Sequence, residues 1–311
     1  MTLHLPVVTH SELKTFRRCQ REWQLSYLEL YRPRHAGAAL SLGSLVHREL
    51  EAWWSIAGRF APAPDGEFDY ADLDPYDVAK GLAMLHGYHL RYVDQAVEVL
   101  AVEKEFRLPL VNPKTGCASK TYQLGGKLDA LARVDGKVFL VEHKTTSEDP
   151  SPGSDYARRL RIDGQISLYY AAVRSLGYEP AGVLYDVLKK PGLRPLKAGK
   201  TRKEDETPEE YGMRCQASLT WDSYQRFEVT RLEAEEESAA LDVWLTTQQM
   251  RVADLHHSYP RNPDACVRYG QTCAFFPVCT GEADLETSGR YRRATRRHEE
   301  LAPDGAEEKA A

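Results

Sequence analysis

The sequence predicts an α/β fold: an N-terminal helical segment, a small mixed central sheet flanked by helices, and a C-terminal cysteine-rich segment. Three observations lead there. Apolar residues recur at helical spacing through most of residues 9–95, give way to alternation over 97–144, and return to helical spacing over 160–177. The chain of 311 residues can hold one large domain or two small ones. It reads as a single domain over 1–285, whose N- and C-terminal parts meet, followed by a disordered tail over 286–311.

The first helix is expected over 9–31. Thr9 or Ser11 caps it, and Leu13, Phe16, Trp23 and Tyr27 supply its apolar stripe. A second helix spans 40–57, a Pro/Asp-rich loop 61–75 and a third helix 76–95. Strands follow at 97–110, 122–134 and 137–144, the last two joined by a hairpin turn at Val134-Asp135-Gly136-Lys137. In the helix over 160–177, Ile162, Ile166, Tyr170 and Val173 form the expected core face. Another strand covers 181–188. The stretch 189–207, rich in Lys, Pro and Gly, reads as a mobile insertion, 208–255 as helix and 259–280 as irregular. There is no internal repeat. Trp23 and Trp53 fall at core spacing, so burial is expected of them rather than stacking on bases.

Apolar residues make up 42% of the chain, enough for a folded core. No apolar run approaches the length of a membrane span, and no secretory signal is visible, so a cytoplasmic protein without a membrane partner is expected. The net charge of −5 lacks the overall basic footprint of a nucleic-acid binder. Basic residues nevertheless cluster at Arg17, Arg18 and Arg21, at Arg158, Arg159 and Arg161, over 189–203 and over 290–297, so a local basic groove is compatible with the acidic total.

Chemistry concentrates between residues 126 and 169. Asp129 closes one strand, and Glu142-His143-Lys144 closes the next. On neighbouring antiparallel strands the two carboxylates can converge on one ion, and magnesium and manganese prefer such oxygen donors. Residues two apart on a strand share a face, so Lys144 lies beside Glu142. His143 points away, although its backbone carbonyl remains a possible ligand. His47 offers an imidazole that manganese accepts. Gln165 and Tyr169, four apart, share one helix face, from which Gln165 can reach a phosphate or Lys144. The set suits metal-assisted hydrolysis of a phosphodiester, with Lys144 orienting water or stabilising negative charge.

Gly43-x-x-x-His47, Gly126-x-x-Asp129, Glu142-x-Lys144 and Gln165-x-x-x-Tyr169 together resemble the RecB-type branch of the PD-(D/E)XK nuclease superfamily, which includes CRISPR-associated nucleases and phage-encoded exonucleases. The resemblance covers about residues 9–280. It implies a restriction-endonuclease-like core, with His47, Asp129 and Glu142 as ligands of Mg2+ or Mn2+, Lys144 as catalytic lysine, and Gln165 and Tyr169 as an accessory motif. It also implies an exonuclease acting on DNA ends in recombination, repair or phage DNA processing. A helicase or recombinase partner, and a bacterial or phage-infected host cytosol, fit that role.

Of six cysteines, Cys266, Cys273 and Cys279 cluster, with Cys19 as a distant fourth. Metal binding is a better expectation than disulfides in the cytosol. Neither gap in the triplet matches a zinc knuckle. The resemblance implies that Cys19 joins the triplet around a [4Fe–4S] cluster, stapling the first helix to the chain end; zinc or reduced thiols are the alternatives. Cys117 and Cys215 are assigned no role. Leu196–Thr201 ends like a phosphate-binding Walker loop, but Arg194 stands where its first glycine belongs, so no ATPase is expected. Two other functional readings are a non-catalytic DNA-binding module and a zinc-containing adaptor.

Overall fold

The structure is a computed structural model that describes residues 5–34, 38–56, 70, 73–95, 97–199, 202–268 and 271–301. The expected loop over 61–75 lies mostly outside the described residues. In chain order the elements begin with β1 (Val7–Val8), α1 (His10–Arg18), α2 (Gln20–Trp23), β2 (Tyr31–Pro33), α3 (Ala38–Ser55) and α4 (Pro75–Tyr92). Then come β3 (Glu98–Val111), β4 (Ala118–Val134), β5 (Lys137–Thr146), α5 (Asp155–Leu160), α6 (Gly164–Ser175) and β6 (Pro180–Lys189). The chain continues through α7 (Pro208–Ser218), β7 (Tyr224–Val229), α8 (Glu233–Leu255), β8 (Val267–Arg268), β9 (Gln271–Thr272), α9 (Phe276–Thr280) and β10 (Tyr291–Arg293). Helices, a mixed sheet and a cysteine-bearing C-terminal segment are present, as the sequence predicts.

The chain divides into two compact units where one domain over 1–285 was expected. Unit one takes in the described parts of 1–36, 105–127 and 232–311; unit two takes in those of 37–104 and 128–231. The long strands β3 and β4 contribute to both along their length.

In unit two, β4 runs antiparallel to β5, β5 parallel to β6, and β6 antiparallel to β7. The β4–β5 turn needs two left-handed residues. Asp135 (φ 48°) and Gly136 (φ 77°) supply them, because a short acidic side chain and the absence of one both tolerate that region. One sheet face buries Ala130, Val141 and Leu184 in a cluster with Leu50, Trp53 and Trp54 of α3 and Met84 and Tyr88 of α4. Asp74 caps α4 by accepting from the Tyr76 and Asp77 amides, with Pro75 at the first turn.

Several expectations in this unit are corrected. The helix expected over 160–177 is two helices, and Ile162 between them is 82% exposed rather than core, while Ile166, Tyr170 and Val173 are buried. The helix expected over 208–255 is interrupted by β7. The stretch 189–207 is pinned through its described residues. Glu206 pairs with Arg214 at 2.6 Å, the Leu196 amide donates to Glu206 at 2.8 Å, and Tyr211 donates to the Leu193 carbonyl at 2.8 Å. Cys215 is fully buried beside Ala83 and Tyr211.

In unit one, the helix expected over 9–31 breaks at Cys19, which is extended (φ −159°, ψ 115°), and resumes as α2 and a π-turn over Gln24–Leu28. β1 pairs in parallel with β4, Val7 opposite Gln123. The tail expected to be disordered from 286 is ordered as far as Leu301; the rest lies outside the described residues. β10 pairs antiparallel with β2, and Tyr291, Ala294, His298 and Leu301 are buried. Beneath it, the fully buried Glu12 carboxylate accepts from Trp23 Nε1 at 2.7 Å and from Arg297, with His298 Nε2 at 3.0 Å.

That cluster sets a pH dependence. Burial would depress His298, but its hydrogen bonds to Glu12 and Glu300 outweigh burial and raise its pKa to about 9. A group whose folded pKa is raised stabilises the fold fully below its unfolded value and loses that contribution as pH climbs through the folded one. Unfolding at pH 6 and at pH 9.5 should therefore differ by about 2–3 kcal/mol in favour of pH 6. His298→Gln should flatten the difference, and an unaltered pH slope in that variant would refute the assignment.

Candidate active site and cysteine cavity

The register that pairs Ala130 with Val141 sets Asp129 opposite Glu142 at the neighbouring position. The His143 amide donates to Asp129 Oδ2 at 2.9 Å, which joins the two strands at the site. Alternation along β5 then puts Glu142 and Lys144 on one face and the His143 side chain on the other. Lys144 Nζ stands 2.5 Å from Glu142 Oε1 and 3.2 Å from Gln165 Oε1. Gln165 Nε2 donates to Glu142 Oε1 at 2.8 Å and to Tyr169 Oη at 3.0 Å. Asp163 caps α6 by accepting from the Gln165 amide, which aims the first helical turn at the lysine. His47, on α3, places Nδ1 3.7 Å from Asp129 Oδ2. The structure thus brings Asp129, Glu142, Lys144, Gln165, Tyr169 and His47 into one neighbourhood.

Glu142 is 2% exposed, and its Oε2 is buried with no hydrogen-bond partner among the described residues. Burial pushes its pKa up, the Lys144 ammonium pulls it back, and Asp129 adds to the rise. For Lys144 burial works against the charge, but Glu142, Asp163 and Asp129 outweigh it and hold the ammonium protonated. Burial lowers the pKa of His47, only partly offset by Asp129, which favours the neutral imidazole that can donate a lone pair. Among the described residues no three His, Cys, Asp or Glu side chains converge as a ready cation cage. The donor chemistry nevertheless fits a hard divalent cation: two carboxylates, one of them with an orphaned buried oxygen, and a neutral imidazole nearby.

Sequence reasoning missed the layer behind this site. In register across β5, β6 and β7, His143 pairs with Asp186 and Asp186 with Arg226. The His143 Nδ1 stands 3.3 Å and Arg226 2.9 Å from Asp186, which also accepts from Tyr88. Trp54 Nε1 donates to Tyr88 Oη at 3.1 Å. Burial would raise Asp186, but the Arg226 guanidinium beside it holds the carboxyl well below the usual range. An acid inside the apolar run of 181–188 was the available signal.

In unit one, Cys19, Cys266, Cys273 and Cys279 line one cavity of about 510 Å3. All four are free thiols. The Cys273 amide donates to the Cys266 carbonyl at 2.7 Å, Asn262 donates to the Arg18 carbonyl at 2.8 Å, and Arg261 donates to the Cys279 carbonyl at 3.0 Å. Burial raises the pKa of Cys273 and of Cys279, and neighbouring thiols add to it. The extended backbone at Cys19 that breaks the first helix is thus where a thiol enters the cavity. The donor set fits a thiophilic metal group, although the thiols do not themselves form a closed cage. Cys117 is exposed and takes no part.

A mixed sheet with an aspartate on one strand and Glu-x-Lys on the next, backed by helices, defines a PD-(D/E)XK-type nuclease. The PD-(D/E)XK nuclease superfamily profile matches residues 7–280, and the chain belongs to that superfamily. Similar solved structures include a candidate exonuclease from Eubacterium rectale, 13% identical over 90% of this chain and 89% of that one, with a TM-score of 0.44. Another is SSO0001, 13% identical over 77% of this chain and 84% of that one, with a TM-score of 0.29. No curated protein matches the chain. Among the described residues, no helix is long and apolar enough to cross a membrane.

Proposed function

We propose that the chain is a metal-dependent deoxyribonuclease of the RecB-type branch, acting as an exonuclease on DNA ends in recombination, repair or phage DNA processing within the cytosol. The observation that carries this reading is the meeting of Lys144, Glu142 and Gln165 beside Asp129. Asp129, Glu142, His47 and the His143 carbonyl would hold Mg2+ or Mn2+. Such an ion, when bound, polarises a phosphate and lowers the pKa of a coordinated water. Lys144 donates to the scissile phosphate as negative charge builds on it. Gln165 keeps that ammonium aimed, and Tyr169 in turn positions Gln165. Exposed arginines hold the phosphates on either side. A helicase or recombinase would supply the ends.

End-labelled single- and double-stranded DNA, free or blocked at each terminus, tests the reading. We expect degradation in manganese or magnesium from free ends, and none in EDTA. Intact labelled DNA under all conditions would reject it, leaving a binding module; cleavage of doubly blocked DNA would reject the exonucleolytic part alone.

In the same reading, Cys19, Cys266, Cys273 and Cys279 hold a [4Fe–4S] cluster. Its support is the convergence of four free thiols from both ends of the chain on one cavity. Purified without oxygen, the protein should be brown and absorb near about 400 nm, and Cys266→Ser should lose the colour and lower the melting temperature. A colourless protein carrying zinc would make this an adaptor-like structural site instead.

A further inference from the structure

A single exposed isoleucine is ordinary on a protein surface; the setting of Ile162 is not. It is 82% exposed, at the turn between α5 and α6, three residues before Gln165. The turn is held from several sides. Arg231 donates to the carbonyls of both Arg161 and Asp163, the latter at 2.9 Å, so one guanidinium grips the backbone on either side of Ile162. The Ile162 amide donates to the Arg159 carbonyl at 3.1 Å. From beneath, Tyr185 donates to the carbonyl of the buried Leu160 at 3.3 Å. An apolar tip on a fixed backbone gives up little conformational entropy when it enters a partner.

Guanidinium groups and carboxylates share the surroundings. Arg158 and Arg161 are exposed and line, with Phe227, a cavity of about 380 Å3 beside the turn. Arg158 lies 3.6 Å from the exposed Asp155, Arg159 pairs with Glu148 at 2.6 Å, and Glu228 also lines the cavity. Arg161 makes no ion pair among the described residues, so its charge is available to a phosphate. A rigid aliphatic tip flanked by guanidinium groups matches a nucleic acid: phosphates take the charges, and the aliphatic group enters between bases.

We propose that Ile162 is a wedge that unstacks the terminal base pair of a DNA duplex, with Arg158 and Arg161 holding the adjoining phosphates, so that one strand is delivered toward Gln165 and Lys144. The proposal rests on the nuclease reading above and adds a residue that opens duplex ends for that site.

The test uses the full chain carrying Lys144→Ala, in magnesium, with a blunt duplex that has 2-aminopurine at its last base pair. Fluorescence reports unstacking and anisotropy reports binding. Binding should raise the fluorescence, and adding Ile162→Ser should cut that rise about tenfold. Leu255→Ser, a comparably exposed apolar position in unit one, should leave it unchanged. In the cleaving chain, Ile162→Ser should lower the ratio of duplex to single-strand degradation by a similar factor. An equal rise with and without Ile162, or binding with no rise in either, overturns the wedge and leaves the nuclease reading standing. Failure to bind DNA at all overturns both.

Discussion

Replacing Lys144 with alanine is expected to lower the rate of DNA cleavage about a hundredfold to a thousandfold, the usual loss when one preorganised donor to developing charge is removed. The ammonium is already fixed before substrate arrives, held by Glu142 at 2.5 Å and Gln165 at 3.2 Å. Interactions realised chiefly in the transition state raise kcat rather than lower KM, so the loss should fall on kcat. Gln165→Ala removes the group that aims the lysine together with its hydrogen bond to Glu142, and about a tenfold loss is expected. Single-turnover cleavage of end-labelled DNA with saturating protein reads both effects. Should Lys144→Ala cleave as fast as the parent chain, the lysine has no part in the chemistry. The variant also leaves Glu142 buried without its cation, so a shift of the metal-concentration optimum should accompany the loss of rate.

Arg226→Leu is expected to cost about 3–5 kcal/mol of stability, because Asp186, 1% exposed, would keep its charge without its principal cation. For a chain of 311 residues that corresponds to a fall of about 5–8 °C in melting temperature. Removing both partners, as Arg226→Leu with Asp186→Leu, should recover much of the loss, since a buried pair exchanged for apolar side chains is often near neutral. Chemical denaturation of the two variants separates the cases. Equal destabilisation of single and double would mean that packing of Arg226 over Tyr92, 3.8 Å from the ring centre, matters more than the ion pair. The network touches His143, whose amide holds Asp129, so the single variant should also weaken manganese activation.

The parts of the fold that local chemistry dictates were legible in the sequence. Asp135-Gly136 marks a hairpin by its tolerance of positive φ, and that hairpin fixes which residues of β4 and β5 face each other. Once the register is known, Glu142 and Lys144 share a face by the pleat alone. Where two distant segments complete each other, the pattern was masked. Strand β7 was absorbed into a helix because its inward Arg226 breaks the apolar alternation, and only Asp186 on the next strand explains that arginine. The turn at 161–163 was missed because helical spacing extrapolates smoothly across it; the interruption is held by Arg231, seventy residues away from Arg161. Residues 291–301 look like solvated tail because they are basic, yet Arg297 and His298 meet a buried glutamate near the other end of the sequence. Cys19 was singled out by family resemblance, and the kink that presents it was not visible in a run of good helix formers.

The split of unit one into three stretches of chain has a bearing on biosynthesis. As the polypeptide leaves the ribosome, residues 37–231 emerge with nearly everything unit two requires, interrupted only by 105–127. Glu12 waits for Arg297, 285 positions later, before its charge is matched. Strand β2 likewise waits for β10, whereas β1 finds its partner β4 much earlier. Closing so long a loop is slow relative to local contacts. Emergence of residues 291–301 is therefore what completes unit one, and a ribosome stalled short of them would display the strands of unit two with an unfinished clasp.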